Sequence, residues 1–212
     1  MMPKILFLTT SHRYYDDRIF YHQAIALRNE GFEVKVCSLS SEYNGDKDGV
    51  MIDSFSILEK STQQKMKVFQ GVISRFSPDV IIASEPLAVI AAHRYKSKNC
   101  KIIYDITEWY PSMRMLSPYP FGIRLLQGIK FFLIQVYAGW ASTGFIFGEN
   151  TKKFPLAYLF SFKKKIILPY YPDEKYISPE IHQLKKNSIT LCYTGVFSKE
   201  KLDYGTRLLL ET

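Results

Sequence analysis

Continuous apolar runs of strand length alternate along this chain with stretches in which apolar residues recur every three to four positions. The run "KILFLTT" (4–10) predicts a first strand. Phe20, Ala24, Leu27 and Gly31 then follow at helical spacing, with Gly31 placed to end the helix. "EVKVCSL" (33–39) predicts a second strand. The polar stretch "SSEYNGDKDG" reads as a loop leading to a weaker strand near 50–58. Met66, Phe69, Ile73 and Phe76 share one face of the next helix, which Ser77-Pro78 stops before the strand "DVIIAS" (79–84). Pro86 suits the first turn of a helix through "LAVIAAHRYKS", and "KIIYD" (101–105) is the following strand. Leu126, Ile129, Leu133, Val136 and Trp140 mark a long helix near 119–142. "STGFIFG" (142–148), a helix near 149–161 and "KKIILP" (164–169) complete the series.

Strands that are apolar throughout, separated by helices, imply a parallel sheet covered on both faces. The expected fold class is α/β, a Rossmann-like parallel sheet flanked by helices, over residues 1–169. The Pro-, Tyr- and charge-rich segment 170–187 reads as an interdomain linker. "SITLCYTGVF" followed by "KLDYGTRLLLET" (188–212) reads as the opening strand and helix of a second domain, expected to be truncated in this sequence, because one βα unit does not bury its own apolar face.

Composition refines this picture in three places. Of 212 residues, 47% are hydrophobic and 23% charged, which supplies an ordinary globular core. The 28 basic against 20 acidic residues give a charge of +8, a bias towards anionic partners that does not choose among nucleic acid, phospholipid and phosphorylated small molecules. Cys37, Cys100 and Cys192 are scattered and form no CxxC, so a reducing cytoplasmic compartment without a metal-ligand cluster is expected. The stretch "FGIRLLQGIKFFLIQVYAGW" (121–140) imitates a membrane span. It contains Arg124 and Lys130, each costing about 2.5–3.5 kcal/mol near a bilayer centre, so a buried or membrane-surface helix is expected instead.

Ligands of open parallel sheets bind beyond the carboxyl ends of the strands. That rule gathers Ser11, His12, Arg13, Asp16, Asp17 and Arg18 after the first strand. It adds Ser84-Glu85, the run Asp105, Glu108, Trp109, Tyr110 and Pro111, and Gly148-Glu149. Simpler roles compete: Asp16 or Asp17 as a helix cap, Glu85 as the cap before Pro86, Asp105 as an acceptor of its own loop's N–H groups, and Trp109 as packing. An acid beside an indole suits sugar or base stacking. No G-x-S-x-G motif points to acyl transfer, and no G-x-G-x-x-G follows the first strand, which argues against an NAD enzyme.

These segments resemble the group 1 (family 4) glycosyltransferases of GT-B fold. The resemblance lies in "KILFLTTSHRYYDDRIFYHQAIALRNEGFEVKVCSL", "PDVIIASEP", "IIYDITEWYP" (similar to Y-D-x-H-E-x-Y-P), "KKIILPYYPD" and "ITLCYTGVFSKEKLDYGTRLL". The sequence departs from that pattern at Ser11-His12-Arg13-Tyr14, which replaces a glycine-rich loop, and at Thr107, where relatives often carry His. The resemblance implies the amino-terminal domain of a retaining, metal-free transferase with no bound cofactor, using a nucleotide-sugar as co-substrate and a sugar or lipid-linked hydroxyl acceptor. It further implies His12, Asp105 and Glu108 as catalytic residues, Ser11, Arg18, Glu85, Trp109 and Tyr110 as acceptor contacts, and Gly195 at the donor phosphates. Surface polysaccharide or glycolipid synthesis is the implied setting, in the cytoplasm and peripherally on the inner membrane face, with an anionic membrane surface as a further partner and no nucleic acid. The rival expectation is a non-catalytic α/β module acting at a membrane or protein partner; a nucleotide or nucleic-acid binder ranks last.

Overall fold

The computed structural model describes residues 2–169, which belong to one compact unit. The expected linker 170–187 and the βα unit 188–212, with Gly195 and Cys192, lie outside the described residues.

The strands are β1 (Lys4–Thr9), β2 (Glu33–Ser38), β3 (Ser40–Lys47), β4 (Val50–Ser56), β5 (Val80–Ala83), β6 (Lys101–Ile106), β7 (Gly144–Phe147) and β8 (Lys164–Ile167). They form one sheet in the order β3-β4-β2-β1-β5-β6-β7-β8. Every neighbouring pair is parallel except β3 with β4. From β1 the chain builds outward through β2 and β4, then crosses back to β5 on the other side. β1 and β5 therefore flank a topological switch point, where a crevice opens at the carboxyl edge.

Alternation along each strand sends side chains to opposite faces. Leu6 and Leu8 of β1 join Cys37, Phe69, Ile73, Ala88, Tyr104 and Phe147 in one core layer. Ile5 and Phe7 join Ile19, Phe20, Val34, Val36, Ile52 and Ile146 in the other. Both layers are apolar, which is why the central strands read as unbroken apolar runs. The fold is Rossmann-like α/β, as expected. Burial raises the Cys37 thiol far above its ordinary pKa, consistent with an inert core residue.

The helices follow their end signals. Asp16 caps a π-helical segment, Asp17–Ala24, which continues into α1 (Ile25–Asn29), and Gly31 at φ +87° turns the chain towards β2. α2 (Thr62–Phe76) opens on a reciprocal Ser61–Gln64 capping box and stops at Ser77, whose φ is +50°. Pro86 occupies the first turn of α3 (Pro86–Tyr95). A short α4 (Met113–Leu116) precedes the long α5 (Phe121–Ala141). The helix expected near 149–161 is instead a 3₁₀ turn, Asn150–Lys153, and a one-turn α6 (Leu156–Leu159) on either side of Pro155. The "SSEYNGDKDG" loop is corrected too: most of it is β3, the antiparallel edge strand.

Candidate functional site

A cleft of about 490 Å³ opens at the carboxyl ends of β1, β5 and β6, beside the switch point. Thr10, Ser11 and His12 form one polar side, Glu85 the floor, and Thr107, Glu108 and Tyr110 the facing loop. Pro86, Leu87, Met115, Phe131 and Ile134 supply apolar walls.

Glu85 does not cap α3; its side chain turns back into the β1 loop. The buried carboxylate accepts from the Thr9 hydroxyl (3.0 Å), the Thr10 and Ser11 backbone N–H groups (2.9 and 3.0 Å) and the Ser11 hydroxyl (2.7 Å). Charge-assisted bonds of this kind fix a loop that lacks regular backbone pairing. The same loop carries His12, whose Nδ1 lies 3.0 Å from Asp16 and whose Nε2 lies 3.9 Å from Glu85. The hydrogen bond to Asp16 raises the His12 pKa; burial opposes it, and the Glu85 charge adds to it. Asp16 is held below its ordinary value: burial acts against this, but the His12 bond and the N–H groups of Ile19 and Arg18 prevail. Asp16 thus caps the π segment and orients the imidazole with one carboxylate.

The opposite wall is set by Gln135, buried on α5. Its Nε2 donates to the Glu108 carbonyl at 2.9 Å, and its Oε1 accepts from the Tyr110 N–H at 3.2 Å. The 107–110 loop therefore presents the Glu108 side chain to the cleft, and among the described residues no group pairs with that carboxylate. Lys152 reinforces the loop by donating to the Thr107 carbonyl at 2.7 Å. Burial first, then the charges of Glu85 and Glu108, push the Tyr110 phenol well above its usual pKa. The hydroxyls of Thr10 and Thr107 are buried against the cleft without a protein partner. A buried hydroxyl without a partner pays a desolvation penalty that a bound polar group can remove.

Of the residues expected at the site, Ser11, His12, Glu85, Glu108 and Tyr110 come together around this cleft. Asp105, Arg18 and Trp109 do not line it, which corrects the catalytic placement expected of Asp105 and the acceptor contacts expected of Arg18 and Trp109. Asp105 is fully buried on β6; Arg18 meets it with Nη2 at 2.8 Å and Nε at 3.1 Å, and Gln23 with Nε2 at 2.8 Å. Arg18 also donates to the Leu168 carbonyl, so its guanidinium is committed to the domain. Trp109 turns away to pack on the core and meets Phe132 edge-to-face at 6.2 Å. Gly195 lies outside the described residues. Sequence reasoning missed Thr10, Gln135, Met115, Phe131 and Ile134, and treated Thr107 only as a missing histidine. The apolar stripe of α5 was visible, but which face would meet the cleft was not.

No family model matches the chain, and no curated protein matches it. Among solved structures, it aligns with sucrose-phosphate synthase of Thermosynechococcus elongatus at 10% identity and TM-score 0.50, over 79% of this chain and 89% of that one. It aligns with the enzyme WbmH of Bordetella bronchiseptica, solved with NAD+, at 14% identity and TM-score 0.43, over 69% of this chain. The chain spans 55% of that enzyme's length. A Serratia marcescens short-chain dehydrogenase/reductase variant aligns at 11% identity and TM-score 0.41, over 78% of this chain and 96% of that one. All three are enzymes. At 10% identity the likeness to sucrose-phosphate synthase is one of fold, the Rossmann-like α/β domain that the sheet order also shows.

Proposed function

We propose that residues 2–169 are the acceptor-binding domain of a retaining glycosyltransferase of GT-B fold. In this reading a second domain, to which Gly195 belongs, brings a nucleotide-sugar to the carboxyl edge of the sheet. The observation that carries the proposal is the grouping of unpaired polar atoms in one cleft: the Glu108 carboxylate with the Thr10 and Thr107 hydroxyls. A sugar hydroxyl offers both a donor and an acceptor to such groups.

Each residue then has a role that follows from its placement. Glu108 accepts from the attacking hydroxyl and orients it. His12, oriented through Nδ1 by Asp16, offers its other ring nitrogen to an oxygen or hydroxyl of the bound sugars. Ser11 and Glu85 shape the floor, and Tyr110 with Phe131 and Ile134 gives the acceptor an apolar wall. Asp105 and Arg18 act at one remove, as positioning residues beneath the loops. Neither a metal nor a bound cofactor belongs to the proposal. Synthesis of a surface polysaccharide or glycolipid in the cytoplasm, at the inner membrane face, is the setting it favours.

The test is glycosyl transfer by the full-length protein across a panel of nucleotide-sugars and hydroxyl acceptors. Glu108→Ala should lower kcat/KM about 10- to 100-fold, the worth of one hydrogen bond to a charged group. Unchanged kinetics would remove Glu108 from the site. A native protein that carries no donor domain, identified by its mass in source cells, would favour the reading as a non-catalytic module.

A further inference from the structure

The face of the domain built by α4 and α5 has a composition unlike the rest of its surface. Helix α5 is long and apolar enough to cross a membrane, yet only 11% of its most hydrophobic window is buried. Phe121, Leu125, Leu126 and Leu133 are 88%, 71%, 68% and 60% exposed. Between α4 and α5 lies an apolar groove of about 660 Å³, distinct from the cleft and lined by residues including Leu116, Phe121, Ile129 and Phe132. Apolar exposure of this extent marks an interaction surface.

Charge selects the occupant. From residue 109 to residue 148 the sequence contains no Asp or Glu, while Arg114, Arg124 and Lys130 lie within that stretch. Arg114 and Lys130 are exposed beside the apolar residues. The aromatic side chains Tyr137 and Trp140 stand exposed at the far end of the helix, where amphipathic rings suit a membrane–water boundary. An apolar face bordered by cations and free of acids is complementary to an anionic bilayer.

We infer that the α4–α5 face seats on an anionic phospholipid surface, with α5 lying in the interface rather than crossing it. The carboxyl-terminal half of α5 is anchored in the domain. Gln135 holds the 107–110 loop, Ala138 is buried in the core, and Gly139 packs so closely under Phe160 that a Cβ there would come within 2.7 Å of its ring. A helix so held cannot enter the bilayer along its whole length without taking the cleft wall with it. Phe131 and Ile134 of the same helix line the cleft, so docking brings the cleft beside the lipid surface. The inference does not depend on the transferase reading, because its test reads no activity.

The experiment is flotation of the full-length protein with vesicles of phosphatidylcholine, alone or mixed with phosphatidylglycerol, at low and high salt. Binding is expected to the anionic vesicles and to weaken with salt. Leu125→Asp combined with Leu133→Asp should reduce partitioning about 100-fold. Arg114→Gln with Lys130→Gln should reduce it about 25-fold, about fivefold for each charge. Both exposed positions lie outside the core, and Leu58→Asp, 41% exposed on a distant loop, should leave binding unchanged. Equal binding by Leu125→Asp/Leu133→Asp and the parent would overturn the assignment. So would protein that resists alkaline carbonate extraction, which would mean that α5 spans. Absence of vesicle binding, with a solution dimer that the double variant converts to monomers, would assign the face to a second copy instead.

Discussion

Gln135, buried on α5, donates its side-chain amide to the carbonyl of Glu108, 27 residues earlier in the chain, at 2.9 Å. Its other amide atom accepts from Tyr110. One residue thus satisfies two backbone groups of a loop that has no strand partner, and the Glu108 carboxylate is aimed into the cleft as a result. Gln135→Leu keeps the volume but leaves both groups unpaired, at a cost of about 1–3 kcal/mol each. The variant should melt measurably lower. Hydrogen exchange should accelerate at 107–112 while β1 and β5 stay protected. Protection of the loop equal to that of the parent would show that Gln135 does not hold it.

The contact of Arg18 with Asp105 joins residues 87 apart in sequence across the sheet edge, and the Asp105 carboxylate also receives Gln23. Arg18 and Gln23 are five residues apart, which on an α-helix would point them about 140° from one another. The π-helical segment Asp17–Ala24 pairs backbone groups at i→i+5, so residues five apart stand nearly one above the other. Removing one member of a buried ion pair strands the other: Asp105→Ala should cost about 3–5 kcal/mol. Arg18→Met combined with Asp105→Leu should recover much of that loss. Thermal melts of the two variants and the parent decide the matter, and equal destabilisation by the single and double changes would refute a paired charge.

Most of the sheet was legible because its central strands are buried on both faces and leave unbroken apolar runs. β3 was not, since none of its side chains is buried and its residues are Ser, Glu, Tyr, Asn, Gly, Asp and Lys. The signal that marks it is the Asp48-Gly49 turn, with φ of +54° and +76°, linking Lys47 to its partner Val50 as a two-residue hairpin. The rim rule placed Ser11, His12, Glu85, Glu108 and Tyr110 correctly at one edge. It failed at Asp105 because β6 continues to Ile106, which turns Asp105 inward, and no local pattern announces a partner so distant. Trp109 failed for a related reason. A large ring beside an exposed loop is pulled to whichever apolar surface the fold offers, and that surface was α5.

The His12–Asp16 pair sets a pH dependence with two limits. His12 titrates above its ordinary 6.5 in the folded protein, so its contribution to stability is complete below 6.5 and fades as pH rises through the folded midpoint. Asp16 titrates below its ordinary 3.8, so its contribution is complete above 3.8 and fades as pH falls through the folded value. The pair is therefore at full strength between 3.8 and 6.5. Titration of the assigned His12 ring by NMR should give a midpoint above 6.5, and Asp16→Asn should lower it. A midpoint indifferent to Asp16→Asn would assign the shift elsewhere.

Two glycines separate a close approach from a free position. Gly144 begins β7, and a Cβ added there would stand 2.9 Å from the backbone carbonyl oxygen of Lys164 on β8. A backbone atom in a paired strand cannot swing aside as a side chain can. Gly144→Ala must therefore push β7 and β8 apart, at about 1–3 kcal/mol, the usual range for overpacking. Gly122, in the first turn of α5, has nothing within 4 Å of a built Cβ and ordinary helical φ. Gly122→Ala gains helix propensity and loses unfolded-state freedom, so it should stabilise by about 0.5–1 kcal/mol. Chemical denaturation of the two variants should move the midpoints in opposite directions. Hydrogen exchange at 164–167 should rise only for Gly144→Ala. If Gly144→Ala left both midpoint and exchange unchanged, β8 would not be held against β7 as closely as the register of Gly144 with Lys164 requires.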